Sequence, residues 1–192
     1  VQPEGLEGQL ALLRKLAATP QTQAELASLL AQHPPWRASF VNNLSSQADD
    51  SLAIVPFMTS LRNAPGGLAE GELSAWLERL TRDGRWGEAY LTWAASLQPE
   101  QQSELANVFN GGFEQEPSGI GFDWRFERVP GAYIERLPTA GAGGEVALRV
   151  SFEDRRVPFQ HVRQLLALPA GWYRLDGRGR AKLVNPDHFL PW

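Results

Sequence analysis

The apolar pattern changes period once, near Asn107, and that change decides what the chain can fold into. Before it, Leu6, Leu10, Leu13 and Leu16 recur every three or four residues, the spacing of one helix face. After it, Val146, Leu148, Val150 and Phe152 alternate with Ala147, Arg149 and Ser151, the spacing of a strand. Helices first and strands second is the order of an α+β chain. The junction carries Asn110-Gly111-Gly112-Phe113-Glu114 and then Gly121-Phe122-Asp123-Trp124-Arg125, which read as the opening of a β-sandwich module. The reading is a helical domain over 1–106 and a β domain over 107–192.

Composition bounds the partners. With 43% hydrophobic and 21% charged residues among 192, the chain holds enough apolar surface for a core. A net charge of −4 is too mild for nucleic-acid binding as a main role. Residues 1–106 carry 7 Lys/Arg against 12 Asp/Glu, and the rest carry 11 against 10, so the two halves differ in charge. The absence of cysteine excludes disulfides, thiolate metal sites and a cysteine nucleophile. It fits the cytosol and equally a periplasmic protein without disulfides. No apolar run reaches the ~18 residues of a membrane span. A first residue of Val1 is read as a processed or shortened chain, from which any leader or anchor would already be gone.

Along the helical half, Pro20 ends one helix or starts the next. Thr22 and Glu25 stand at capping-box spacing before Leu26, Leu29 and Leu30. Pro34-Pro35 breaks that helix, after which Trp36, Phe40, Val41 and Leu44 line a face. Asp49-Asp50 caps a segment with a stripe of Leu52, Val55, Met58 and Leu61, where Pro56 predicts a kink or a late start. Ala64-Pro65-Gly66-Gly67 is a loop. Leu73, Trp76, Leu77 and Leu80 mark the next helix, stopped near Asp83-Gly84, and Trp86, Tyr90, Trp93 and Leu97 mark another. Pro99 to Val108 adds a short one. About six or seven short helices with brief connections predict antiparallel neighbours. Trp36, Trp76, Trp86 and Trp93 are assigned to the core.

In the second half, Phe122, Trp124 and Phe126 alternate with Asp123, Arg125 and Glu127, which predicts a strand with the rings inward. Ala132 to Leu137 and Glu145 to Phe152 are further strands, separated by a loop at Thr139 to Gly144. Val162–Leu168 and Trp172–Gly177, joined by Pro169-Ala170-Gly171, read as a hairpin, with one more strand at Arg180–Val184.

These residues carry two resemblances. Gly84-Arg85-Trp86-Gly87-Glu88-Ala89-Tyr90, with Trp93, Leu97 and Pro99, resembles the second half of one tetratricopeptide repeat; no second copy follows at that period. The helical part is a degenerate repeat pair or an unrelated bundle. Asn110-Gly111-Gly112-Phe113-Glu114, Ala147-Leu148-Arg149-Val150 and the Gln164–Leu175 segment resemble, in order, motifs of carbohydrate-binding modules with a galactose-binding-like jelly roll. Helices followed by such a module also resemble uncharacterised envelope-associated proteins of Gram-negative bacteria, which implies a periplasmic or envelope location. Jelly rolls of this kind need about twice the length available after Asn107. The expectation is an incomplete antiparallel sandwich, explained by a truncated chain, a reduced sandwich or completion by another chain. Its open face would be covered by the helical part or by a second copy in a homodimer.

The resemblance implies a structural calcium held through Glu114, beside the reading of Glu114 as a turn residue bonding local amides. For sugar stacking it implies exposed rings, and Trp124, Tyr133, Trp172 and Tyr173 are the candidates. Trp172 and Tyr173 are adjacent and face opposite ways on a strand, while Trp124 shares the core-facing side with Phe122 and Phe126. Catalysis has little support. His33, His161 and His188 match no metal or triad spacing, and Gly141-Ala142-Gly143-Gly144 lacks the Lys-Ser/Thr of a phosphate loop. Asp123 and Glu127 lie about 13 Å apart on a strand, too far for paired carboxylates. His161 beside Asp154 reads as a solvated turn pair. Arg155-Arg156 and Arg174, Arg178, Arg180 and Lys182 form a basic region, a solvated strand face or a surface for an anionic polysaccharide or phospholipid. The sequence thus points to a noncatalytic binding protein for polysaccharide at the bacterial envelope; the other reading is a protein-interaction adaptor with a purely structural β module.

Overall fold

Proline and glycine set the limits of the helices in a computed structural model that describes residues 3–139, 144–153 and 155–182, with side chains from Gly8 onward. Leu6, the Gly141–Gly143 part of the glycine loop, Asp154, His188 and the end of the Arg180–Val184 strand lie outside the described side chains. The chain divides into two units, residues 1–103 and 104–192.

The first unit is helical. It contains α1 (Pro3–Ala18), α2 (Pro20–Leu30), α3 (Arg37–Gln47), α4 (Ser51–Asn63), α5 (Glu70–Arg82), α6 (Trp86–Ala94) and α7 (Pro99–Ser103). Pro20 sits at the first position of α2, where its missing N–H costs nothing, and Thr19 is the N-cap. Thr22 is therefore inside the first turn. Its hydroxyl donates backward to the Leu16 carbonyl at 2.6 Å, so the anticipated capping box does not form. Asp50 does cap α4, its carboxylate accepting from the Leu52 amide at 2.8 Å. That helix starts at Ser51 and runs through Pro56 with no late start. Its buried face is Ile54, Phe57, Met58 and Leu61; Leu52, assigned to the stripe from sequence, is exposed. At the end of α5 the Gly84 amide donates to Thr81 and the Arg85 amide to Leu80, at 3.1 and 2.8 Å. Gly84 has φ +73, the left-handed conformation this helix ending requires.

The larger contacts join α3 to α5 and α2 to α4, while α1 meets α2, α3 and α4. Of the sequence neighbours, only α1 with α2 and α5 with α6 are among these larger contacts. The result is a bundle around Phe40, Leu44, Phe57, Leu61, Leu77 and Trp93. Trp76 and Trp93 are in this core, as anticipated, but Trp36 and Trp86 are 38% and 50% exposed. Both sit at a helix start, where no preceding turn of the same helix lies beside the ring.

The second unit contains β1 (Arg125–Phe126), β2 (Ala132–Pro138), β3 (Val146–Phe152) and β4 (Val162–Arg163). β1 pairs with β4 and β2 with β3, both antiparallel, in two separate two-stranded sheets. The fold is mixed α+β, and the described residues hold no full sandwich. Register in the longer ladder sets Ile134 opposite Val150 and Glu135 opposite Arg149. Period two therefore puts Ile134, Leu148 and Val150 on one side and Tyr133, Glu135 and Arg149 on the other, as the alternation requires.

Three strand expectations shrink. The Phe122–Arg128 strand is reduced to two residues, because Asp123 turns inward and bonds the chain before it. The Val162–Leu168 and Trp172–Gly177 hairpin leaves only Val162–Arg163 in a ladder. Arg180 to Lys182 forms no strand. Among the described residues, the fully buried apolar side chains of this unit are Phe109, Phe122 and Ala132, three against seventeen in the helical unit.

Candidate functional site

The Asn110–Glu114 motif folds into a tightly bonded loop. The Asn110 side chain donates to the Gln115 carbonyl at 2.8 Å and accepts from the Gln115 amide at 3.1 Å, closing a ring across the turn. Asn110 and Phe113 take positive φ of 50° and 59°. Asparagine tolerates this conformation, while for phenylalanine it is strained. The two glycines between them serve proximity instead: a Cβ on Gly111 would stand 3.3 Å from Val108.

Arg136 holds this loop. It lies on the Ile134 side of β2 and donates to the carbonyls of Phe113 and Glu114, both at 2.8 Å, and also pairs with the Glu116 carboxylate. Gln164 fastens the next segment, its Nε2 donating to the carbonyls of Phe109 and Phe122 at 2.8 and 3.0 Å. Neither residue stands out in the sequence. An arginine at an inward position of an otherwise apolar strand face is the one signal that marks Arg136.

Glu114 belongs to the same knot. One carboxylate oxygen accepts from the amides of Glu145 and Val146 at 3.0 and 3.3 Å, which pins the start of β3. Calcium takes six to eight oxygens. Here that carboxylate oxygen is occupied by N–H donors, and a guanidinium lies against the Glu114 carbonyl. These residues do not fit a calcium site. Among the described residues no group of three or more His, Asp or Glu is placed to hold a metal.

The four candidate rings are not assembled into one platform. Trp124 is half-buried; its indole N–H donates to the Asn110 carbonyl at 3.0 Å and its ring lies 4.8 Å from that of Phe113. It braces the motif loop. Tyr133 is 61% exposed on the outer side of β2, and its hydroxyl donates to Glu153 at 2.9 Å. The carboxylate accepting its proton holds this phenol above the ordinary 10.0. Tyr173 is half-exposed and donates to the Pro169 carbonyl at 2.5 Å, stapling its own turn. Trp172 alone has a fully exposed ring.

The surroundings of Trp172 make it the strongest candidate. From Trp172 to Ala181 the backbone is in no helix, turn, bend or strand, and every residue from Trp172 to Lys182 is exposed. Trp172 is thus followed within ten residues by four exposed cations, Arg174, Arg178, Arg180 and Lys182. Arg174 pairs with Asp176 at 2.8 Å, both strongly exposed. Among the described residues no carboxylate pairs with Arg178, Arg180 or Lys182. The ring and the cations are both legible in the sequence.

Asp123 is buried, contrary to its assignment to a solvent face. Its carboxylate accepts from the amide and hydroxyl of Ser118 at 2.7 and 2.9 Å and from the Trp124 amide at 2.7 Å. Glu127 is exposed and pairs with Arg163 across β1 and β4. His161 stacks near Phe159, ring centres 5.5 Å apart. His33 belongs to the helical unit, where Nδ1 faces the Arg37 guanidinium at 3.3 Å. No family model, no curated protein and no solved structure matches the chain.

Proposed function

We propose that the chain is a noncatalytic binding protein of the bacterial envelope that takes polysaccharide at Trp172 and the basic segment after it. The observation that carries this is a fully exposed indole followed within ten residues by the exposed cations Arg174, Arg178, Arg180 and Lys182. A flat ring offers a stacking surface to a sugar face, and the cations favour acidic sugars. The order of motifs that resembles carbohydrate-binding modules supports the same ligand class. Tyr133, Tyr173 and Trp124 are given structural roles by their hydrogen bonds, so the site rests on Trp172. Glycan-array screening of the intact chain followed by calorimetry tests the proposal. Binding to acidic glycans that Trp172→Ala abolishes is the expected result; no binding to any glycan sinks it.

A protein-interaction adaptor is the second reading. It is favoured by Leu29, Trp36, Leu52, Trp86 and Leu91, large apolar side chains left exposed on the helical unit. A pull-down with residues 1–103 that recovers no specific partner would count against it.

A further inference from the structure

The β2–β3 ladder is open on its β2 side at Ile134 and Arg136, while the Ala132 amide already donates to the Val129 carbonyl at 3.3 Å. Thr139 donates to the Glu145 carbonyl in register with the Pro138–Val146 pair. Alternation along an antiparallel ladder then turns the peptide groups of Glu135 and Leu137 toward β3 and those of Ile134 and Arg136 away from it. Among the described residues no backbone group pairs with Ile134 or Arg136 on that outer edge. A two-stranded ladder alone is marginal, and the described residues of this unit bury few apolar side chains.

The segment after Gly171 has the complementary defect: from Trp172 to Ala181 it is exposed and has no strand partner. It also fits this edge in one register. Antiparallel addition with Leu175 opposite Ile134 sets Arg174 opposite Glu135 and Trp172 opposite Leu137. The apolar pair falls on the inward side and the charge pair on the outward side. Glu135 already holds Arg149 at 2.5 Å, so Arg174 extends a row of alternating charge. Pro138 has no N–H and ends the edge where Trp172 would end the added strand. The β3 edge is less suited. Its outward Arg149 would meet the cations, and its first amides are already taken by Glu114.

We propose that residues 172–176 of one copy add to the outer edge of β2 in a second copy, reciprocally, closing a strand-exchanged dimer. Trp172 falls on the outward side in this register, so the exchange is compatible with ligand binding there and does not depend on it.

The test has two parts, both on the full chain. Sedimentation over a range of concentrations should show a monomer–dimer equilibrium, which Leu175→Pro shifts at least tenfold toward monomer with helical circular dichroism retained. The chain has no cysteine, so Glu135→Cys with Arg174→Cys introduces the only thiols. Oxidation should then give covalent dimers. A monomer at every concentration overturns the proposal. So does a dimer that the cysteine pair fails to cross-link, and so does an intramolecular disulfide, which would place the strand on its own sheet.

Discussion

Arg37 and Glu72 meet in two parallel hydrogen bonds, Nε to Oε1 at 2.9 Å and Nη2 to Oε2 at 2.8 Å, with both side chains at most 5% exposed. The same guanidinium donates to the Leu30 carbonyl at 3.1 Å and the Gly67 carbonyl at 2.5 Å, and Glu72 accepts from the Ala69 amide at 3.0 Å. One pair thus joins the end of α2, the start of α3, the Gly66-Gly67 loop and the start of α5. Glu72→Ala leaves a buried guanidinium without its counter-charge and is expected to cost about 3–5 kcal/mol. Arg37→Met combined with Glu72→Leu should lose less, because no charge is left behind. Urea denaturation followed by circular dichroism compares the two.

Asp83 fastens three helices in a similar way. It accepts from the Ser51 hydroxyl at the start of α4 and from Arg79 Nε at 2.7 Å, while Arg79 also caps α3 through the carbonyls of Ser45 and Ala48 at 3.2 and 2.7 Å. The Ser51 hydrogen bond first, and Arg79 second, hold Asp83 below the ordinary 3.8. A carboxylate with a lowered folded pKa contributes stability that is present above its unfolded value and is lost as pH falls through the folded one. Ser51→Ala should move the Asp83 titration, followed by carboxyl NMR, up toward 3.8. An unchanged titration would show that Arg79 alone sets it.

Arg136→Met keeps the length of the side chain but removes the three bonds to Phe113, Glu114 and Glu116. With the strained Phe113 released, the β unit should lose about 1–3 kcal/mol. Amide exchange at Phe113 and Gln115 should quicken, while the helical unit keeps its protection. Uniform exchange rates before and after substitution would refute this role.

Trp172→Ala separates binding from folding. A fully exposed ring contributes little to stability, so the change should stay within about 0.5 kcal/mol. Binding of an acidic polysaccharide should fall by tenfold or more. Arg178→Gln with Arg180→Gln should weaken binding less at high salt than at low salt, since exposed charges are screened. Calorimetry at two ionic strengths reads both effects.

The helices were legible because each has local punctuation: Pro20, the Asp50 cap and Gly84 mark ends that need no distant partner. The Ile134–Val150 ladder was legible for the same kind of reason, a clean period of two. What escaped was decided by contacts and positions that a periodic pattern does not encode. Asp123 alternates with rings like a surface residue, yet Ser118 draws it inside. Trp36 and Trp86 lie on apolar stripes, yet each stands at a helix start and stays partly exposed. Glu114 was read as a metal ligand or a turn residue, and the amides of Glu145 and Val146 that engage it lie thirty positions away.

Among the described residues the β unit buries few apolar side chains. A unit with so small a core gains most from whatever binds only its folded form, about 2.7 kcal/mol at a hundredfold excess over the dissociation constant. A ligand of the β unit would therefore slow proteolysis of that unit, whereas the helical unit, with its own core, would resist cleavage with or without it.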